Sequence, residues 1–305
     1  MCSGPTRSIT DSHMNSRLRA HGFTLIEMIV VMLLVSILAG TLFMILQGPM
    51  KAMSANEGRA RLVDIAETAL QRMTRELRLA LPYSIRVSGA NAVEFLRIVD
   101  GGRYRAKGAG RLKFNVNGDT FSSLSTLTNA GSISTGAGSA ACINSTADCL
   151  VVYNIGQPLS VASATVSGSS ANAYLGSSTA YDGNIATISA VAANSVTFDN
   201  NDLAGWDLSF ESPRQRFHIV DTPVSFVCSG GEIHRFAGYA ITPTQSTTPG
   251  GTDNLLVDQV SACNFTLRAP TLTRAGLLTL SLTINDATLG QSVTLLQQVH
   301  LDNVP

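Results

Sequence analysis

The sequence predicts an α+β protein: one long N-terminal helix, hydrophobic in its first half and amphipathic in its second, packed on an antiparallel β-sheet domain. Three observations carry this. Phe23–Leu46 is a nearly unbroken apolar run whose only charge is Glu27. Apolar residues then recur at helical spacing from Leu62 to Ala80. From residue 83 onward, short apolar runs alternate with polar ones and are separated by Gly, Asn, Asp and Ser, which is how strands and turns read.

The apolar run, as a helix, reaches roughly 36 Å, enough to cross a bilayer core of about 30 Å. A polar leader precedes it, with Arg17, Arg19 and His21, no acid after Asp11, and Gly22 at its end. A secretory signal is cut after its apolar region, at small residues. The best such site here, Leu38-Ala39-Gly40, lies inside the run. A cut after Gly22 would instead leave the helix as a permanent part of the mature protein. Glu27 agrees with that cut. A carboxylate near one end of a membrane helix is costly unless partnered, and cleavage creates a partner, the α-amino group of Phe23, on the same chain or a neighbour. The competing reading is a Glu that snorkels to the interface of a plain anchor. Residues 1–13 fit no targeting signal, whereas Met14 opens a compact leader, MNSRLRAHG, so Met14 is the expected start. Cys2 has no apolar segment before it and makes no lipobox. The basic leader stays cytoplasmic and sends the rest of the chain into the periplasm.

The residues G-F-T-L-I-E at Gly22–Glu27, after a short basic leader and before the apolar run, resemble the class III signal of type IV prepilins. The resemblance implies cleavage after Gly22 by prepilin peptidase, N-methylation of Phe23, and a role for Glu27 in filament assembly. It implies a pilin-like fold: residues 1–22 as leader, 23–47 as the transmembrane and filament-core half of the helix, 48–82 as its amphipathic half, and 83–305 as a periplasmic β-rich domain.

Gln47-Gly48-Pro49 predicts a kink or short break, and Ser54-Ala55-Asn56-Glu57 reads as a capping box that restarts the helix. Leu62, Ala66, Ala69, Leu70, Met73, Leu77 and Ala80 form one apolar stripe. Arg59, Arg61, Asp64, Glu67, Arg72, Arg75, Glu76 and Arg78 fill the other faces, solvated or against neighbouring subunits, and Pro82 ends the helix. Strands are expected at 92–99, 150–153, 195–198, 216–220, 224–227 and 232–236, with a hairpin turn at Cys228-Ser229-Gly230-Gly231. Gly276–Asn285 and Gln291–Leu301 read as two long alternating strands. Residues 120–198 hold only two charges, Asp148 and Asp182, amid Ser, Thr, Ala and Gly. That stretch reads as an insertion of short strands and long loops, and as a surface for partners.

Cys142, Cys149, Cys228 and Cys263 are an even set in a domain expected outside the cytoplasm, so disulfides are expected. Three pairings are possible, and Cys142–Cys149 with Cys228–Cys263 is favoured. No CxxC, P-loop, GxSxG, HExxH or GxGxxG occurs. His218 and His234 sit in strand-like runs and read as structural or surface residues. Asp199-Asn200-Asn201-Asp202 with Asp207 has oxygen ligands for calcium but misses the EF-hand pattern, so an Asx-rich turn is expected. No enzyme activity, cofactor or metal is expected. The 305 residues carry formal net charge +0 with 14% charged residues, so no global field selects nucleic acid, and none is predicted as a partner.

The length of the chain favours a minor pilin over a major one. The helix pattern together with the late segment C-S-G-G-E-I-H-R-F-A-G-Y resembles minor pilins of mannose-sensitive haemagglutinin (MSHA) pilus biogenesis, the MshO type. The J-type minor pseudopilins of type II secretion share the leader and the architecture. A tip-displayed adhesin is a third reading, motivated by residues 120–198. The implied partners are prepilin peptidase, other pilin or pseudopilin subunits, the inner-membrane assembly platform and membrane lipid. The implied location is the bacterial inner membrane, single-pass, and then the pilus.

Overall fold

The computed structural model describes residues 22–114, 116, 118–138, 140–156, 171–175, 184–199, 211–269, 275–288 and 290–301. A 53-residue helix, α1 (Leu25–Leu77), is followed by β1 (Arg86–Ser88), β2 (Ala92–Arg103), β3 (Gly118–Ser122), the short α2 (Ala140–Ile143), β4 (Cys149–Val152), β5 (Ile185–Ala192) and β6 (Ser195–Asp199). Then come β7 (Arg216–Ser229), β8 (Glu232–Ala237), β9 (Thr252–Val257), β10 (Val260–Arg268), β11 (Gly276–Asp286) and β12 (Gln291–Leu301). The chain divides into two compact units, residues 1–54 and 55–305.

In the first unit α1 is apolar on every side. Its richest window has mean hydropathy 2.9 and none of it is buried. The two hydroxyls within it turn back on the helix: Ser36 Oγ donates to the Leu33 carbonyl at 2.8 Å and Thr41 Oγ1 to Leu38 at 2.9 Å. Neither needs water, which is the condition for a polar side chain in hydrocarbon. Of the kink or short break expected at Gln47–Pro49, the break is absent. Helix is assigned straight through Pro49, and Ser54–Glu57 lie inside it rather than capping a new one. Proline deletes one donor of the ladder, and the flanking turns carry the helix across that gap.

In the second unit Leu62, Ala66, Ala69, Leu70, Met73 and Leu77 are all buried. They pack on Val93, Phe95, Val224 and Phe226 of one sheet and on Leu278, Leu280, Leu282 and Ile284 of another. Arg235 of β8 clamps Glu76 through Nε at 2.9 and 2.8 Å. The helix stops at Leu77, five residues short of Pro82, because the chain after it becomes sheet: Leu81 N–H donates to Leu96 and Ile98 N–H to Leu79, both at 2.8 Å.

The expected antiparallel β-sheet domain is built of two antiparallel sheets. β10, β11 and β12 form the smaller. The larger runs β1-β2-β7-β4-β5-β6-β3, with β8 on β7 and β9 on β8. Its long path bends round until it meets itself. Tyr104, just after β2, bridges Ser123, just after β3, and Leu124 N–H donates to the Arg103 carbonyl at 2.8 Å. Six strands thus make a barrel-like ring, which removes two edges that would otherwise invite pairing. Tyr104, Phe121, Phe198 and Phe217 pack within a second core there, with Phe121 edge-on to Phe217 at 5.1 Å. The described parts of 120–198 supply β4, β5 and β6 to this ring.

The two strands expected at 216–220 and 224–227 are one 14-residue strand, β7, containing Pro223. Proline is tolerated there for a local reason. Its opposite residue, Leu96, uses its N–H on Ser84 Oγ and its carbonyl on Leu81, outside the β2–β7 ladder. On the other edge β4 pairs residues 217–220 and β8 pairs 224–229, so Pro223 falls between two partners where no donor is required. The β7–β8 turn is Gly230-Gly231, with φ of 64° and 86°, the two positive values that only glycine adopts without strain.

Candidate functional site

The candidate processing and assembly residues stand together at the start of α1. Gly22, Phe23 and Thr24 precede the first helical residue, and Glu27 lies in the first turn. Thr24 is the N-cap. Its Oγ1 accepts the Glu27 N–H at 3.3 Å and its carbonyl accepts the Met28 N–H at 3.2 Å. Thr24-Leu25-Ile26-Glu27 therefore has the spacing of a capping box, the motif that sequence reading placed at Ser54 instead. Glu27 also sits where the helix dipole favours an anion. The first turn is thus well satisfied by its own residues.

Gly22 and Phe23 are exposed, Phe23 at 75%. A Cβ built on Gly22 meets nothing within 4 Å, and Gly22 does not have a positive φ. Nothing in the described chain requires glycine at this position.

The cysteines pair as Cys142–Cys149 and Cys228–Cys263, with Cα atoms 5.1 and 6.5 Å apart. The first ties α2 to the start of β4. The second joins β7 of the large sheet to β10 of the small one.

A buried polar network lies under the β1–β2 ladder. Arg86 donates to Glu94 Oε1 through Nε at 3.0 Å and Nη2 at 2.5 Å. Its remaining donors reach the carbonyls of Pro243 at 2.7 Å and Thr242 at 2.9 Å. The Tyr174 ring covers the guanidinium at 3.7 Å. Burial pushes the Glu94 carboxyl up, against the pull of Arg86, and burial raises the Tyr174 and Tyr239 hydroxyls as well. Four hydrogen bonds from Arg86 end on acceptors of its own chain, which is the form of a structural ion pair. Sequence reading missed it, since nothing marks Arg86 and Glu94 as partners before the register of β1 on β2 is known.

His234 bridges Asp253 at 2.7 Å and Glu232 at 2.8 Å on the surface of the β8–β9 ladder. These carboxylates, Glu232 first, hold its pKa above the ordinary value. The late segment Cys228–Tyr239 is therefore largely the β7–β8 hairpin. Asp199 accepts the Gly138 N–H at 2.9 Å; Asn200, Asn201, Asp202 and Asp207 lie outside the described residues, as do residues 1–21 of the leader. Among the described residues no group of three or more His, Cys, Asp or Glu could hold a metal.

Residues 17–43 match the model of the prokaryotic N-terminal methylation motif. No curated protein and no solved structure matches the chain. The motif supports a type IV pilin or pseudopilin signal, and with the apolar helix it fits single-pass membrane anchoring.

Proposed function

We propose that the chain is a structural subunit of a type IV filament, processed by prepilin peptidase after Gly22 and methylated on Phe23. One observation carries this: a methylation-motif helix whose apolar surface has no partner among the described residues of its own unit. Lateral packing among like helices removes that surface from lipid and water alike. Glu27 then neutralises the Phe23 amine of a neighbour. On this reading residues 1–22 are the leader, 23–47 the membrane and filament core, and 48–305 the periplasmic part. Proteins with this motif are structural rather than catalytic. The finer reading is a minor pilin of an MSHA-type pilus that initiates, caps or supports assembly, the J-type pseudopilin of type II secretion being its counterpart. Disulfides fit the periplasmic side of that membrane.

The test is intact mass and N-terminal sequencing of the membrane-extracted protein, with and without prepilin peptidase. A mature chain that begins at N-methylated Phe23 is expected. A chain that keeps residues 14–22, or one cut near Gly40, rules the reading out. Deleting the gene and scoring pili against secretion then separates the two machines.

A further inference from the structure

The barrel-like ring carries a concentration of cations, most of which have no carboxylate partner among the described residues. Arg103, Arg105, Lys107, Arg111, Lys113, Arg214 and Arg216 make up a third of the 21 Lys and Arg residues of the chain. The structure gathers them at one end of the ring. Arg103 faces Arg216 directly across the β2–β7 ladder. Arg103 Nε reaches the Arg214 carbonyl at 3.2 Å. Arg105 bridges Arg111, and the Leu112 N–H closes that loop onto the Arg105 carbonyl at 3.1 Å. All but the half-buried Arg216 are exposed.

Among the described residues the acids nearby do not balance them. Asp119 holds Lys113 at 2.8 Å. Asp100 is occupied by the backbone of Gly101 and Asn129, each at 2.7 Å. Glu211 stands by Arg111 and Lys113 on a cleft of about 320 Å³. Among the described residues none of the other six cations has a carboxylate partner. Like charges placed directly opposite on neighbouring strands weaken a sheet, so this arrangement costs the fold stability until an anion relieves it.

We propose that this end of the ring binds a polyanion through its phosphodiester backbone, with duplex nucleic acid as the partner. Five of the seven cations are guanidinium groups, which match phosphate oxygens with paired donors. The exposed residues between them are Ala109, Gly108 and Gly110. Among the described residues the loop offers no exposed aromatic ring to stack on unpaired bases or sugar faces, and the exposed large apolar side chain beside it is the single Leu124, too little to anchor in a membrane. Contact is therefore with phosphates alone and indifferent to sequence. The expectation of no nucleic acid rested on the charge of the whole chain, which is zero; the cluster is local. The proposal stands independently of the filament reading.

The test is fluorescence anisotropy with a labelled duplex of about 30 base pairs, using the full chain in neutral detergent from about 50 to 200 mM salt. Binding that falls with salt at a log–log slope of about −4 to −5 is expected, because each neutralised phosphate contributes about −0.9. The triple variant R103Q/R105Q/R111Q should lose at least about tenfold at the lowest salt and flatten the slope by about 3. It should melt no lower than the parent, since it relieves the like-charge contacts. R72Q/R75Q, on exposed faces of α1, should bind like the parent. No duplex binding at the lowest salt overturns the proposal, as does equal binding by the triple variant. Capture of heparin or of vesicles rich in anionic lipid, without capture of duplex, also overturns it.

Discussion

The two halves of α1 are built from similar apolar residues and meet opposite fates. From Phe23 to Met53 the large apolar side chains are exposed, whereas Leu62, Leu70, Met73 and Leu77 are buried in the domain's own core. The difference lies in the other faces. Arg59, Asp64, Glu67 and Arg72 hold the second half to one orientation, with its stripe inward and its charges in water. The first half has no polar face to hold, and among the described residues of its own unit nothing covers it. The second half is finished by folding; the first waits for a membrane or for its neighbours.

The sharpest break to this comparison targets the body. Arg86→Met leaves the buried Glu94 carboxyl without its partner, and should cost about 3–5 kcal/mol in chemical or thermal unfolding. Met73→Ala should cost about 2–5 kcal/mol, while Leu34→Ala leaves the unfolding of the domain unchanged. Equal effects from these two would end the distinction between the halves. Removing Cys228–Cys263 with paired serines should cost about 4 kcal/mol, and removing Cys142–Cys149 about 2, from the lengths of chain they close.

Proton linkage gives a smaller effect. Burial pushes the Asp148 carboxyl up to about 6, opposed by the Ser134 N–H and Arg97 and helped by Asp221. A carboxyl with a raised folded pKa binds its proton more tightly in the fold. Its contribution is complete below pH 3.8 and is lost as pH rises through about 6. Between those limits the domain should lose on the order of 1–3 kcal/mol, and Asp148→Asn should flatten that loss in unfolding measured at each pH. The smallest change is at the cap. Thr24→Ala should loosen the first turn by about 1 kcal/mol, seen as faster amide exchange at Glu27 and Met28, with no shift in the melting of the domain.

What the sequence disclosed followed from local period and local turns. The stripe from Leu62 to Leu77, the paired strands at 276–286 and 291–301, and the glycine turn at 230–231 were legible because each depends on neighbours within a few residues. The N-cap at Thr24 was equally legible as T-x-x-E, but the same pattern at Ser54 beside a proline drew the assignment. The closure of the ring was not legible. It joins residue 104 to residue 123 only after β7, β4, β5 and β6 have been laid between their strands. Nor was the continuity of β7 through Pro223, which depends on Leu96 turning its hydrogen bonds elsewhere. The run of cations from Arg103 to Lys113 passed unmarked in a chain of zero net charge, and its junction with Arg214 and Arg216 needed the β2–β7 register. Gly22, Phe23 and Glu27 were marked by their motif, and their chemistry is tested on the mature chain rather than in the fold.

β7 has a consequence for how the domain comes apart. Its first half places Phe217 and Ile219 in the core of the ring, and its second half places Val224 and Phe226 against the helix. One strand with no interruption serves both. Melting either core frays a strand on which the other is laid, so neither can open alone without exposing part of its neighbour. The domain should therefore unfold in one calorimetric transition, although it holds two sheets and more than one core. A protease that finds any open form finds the whole of it.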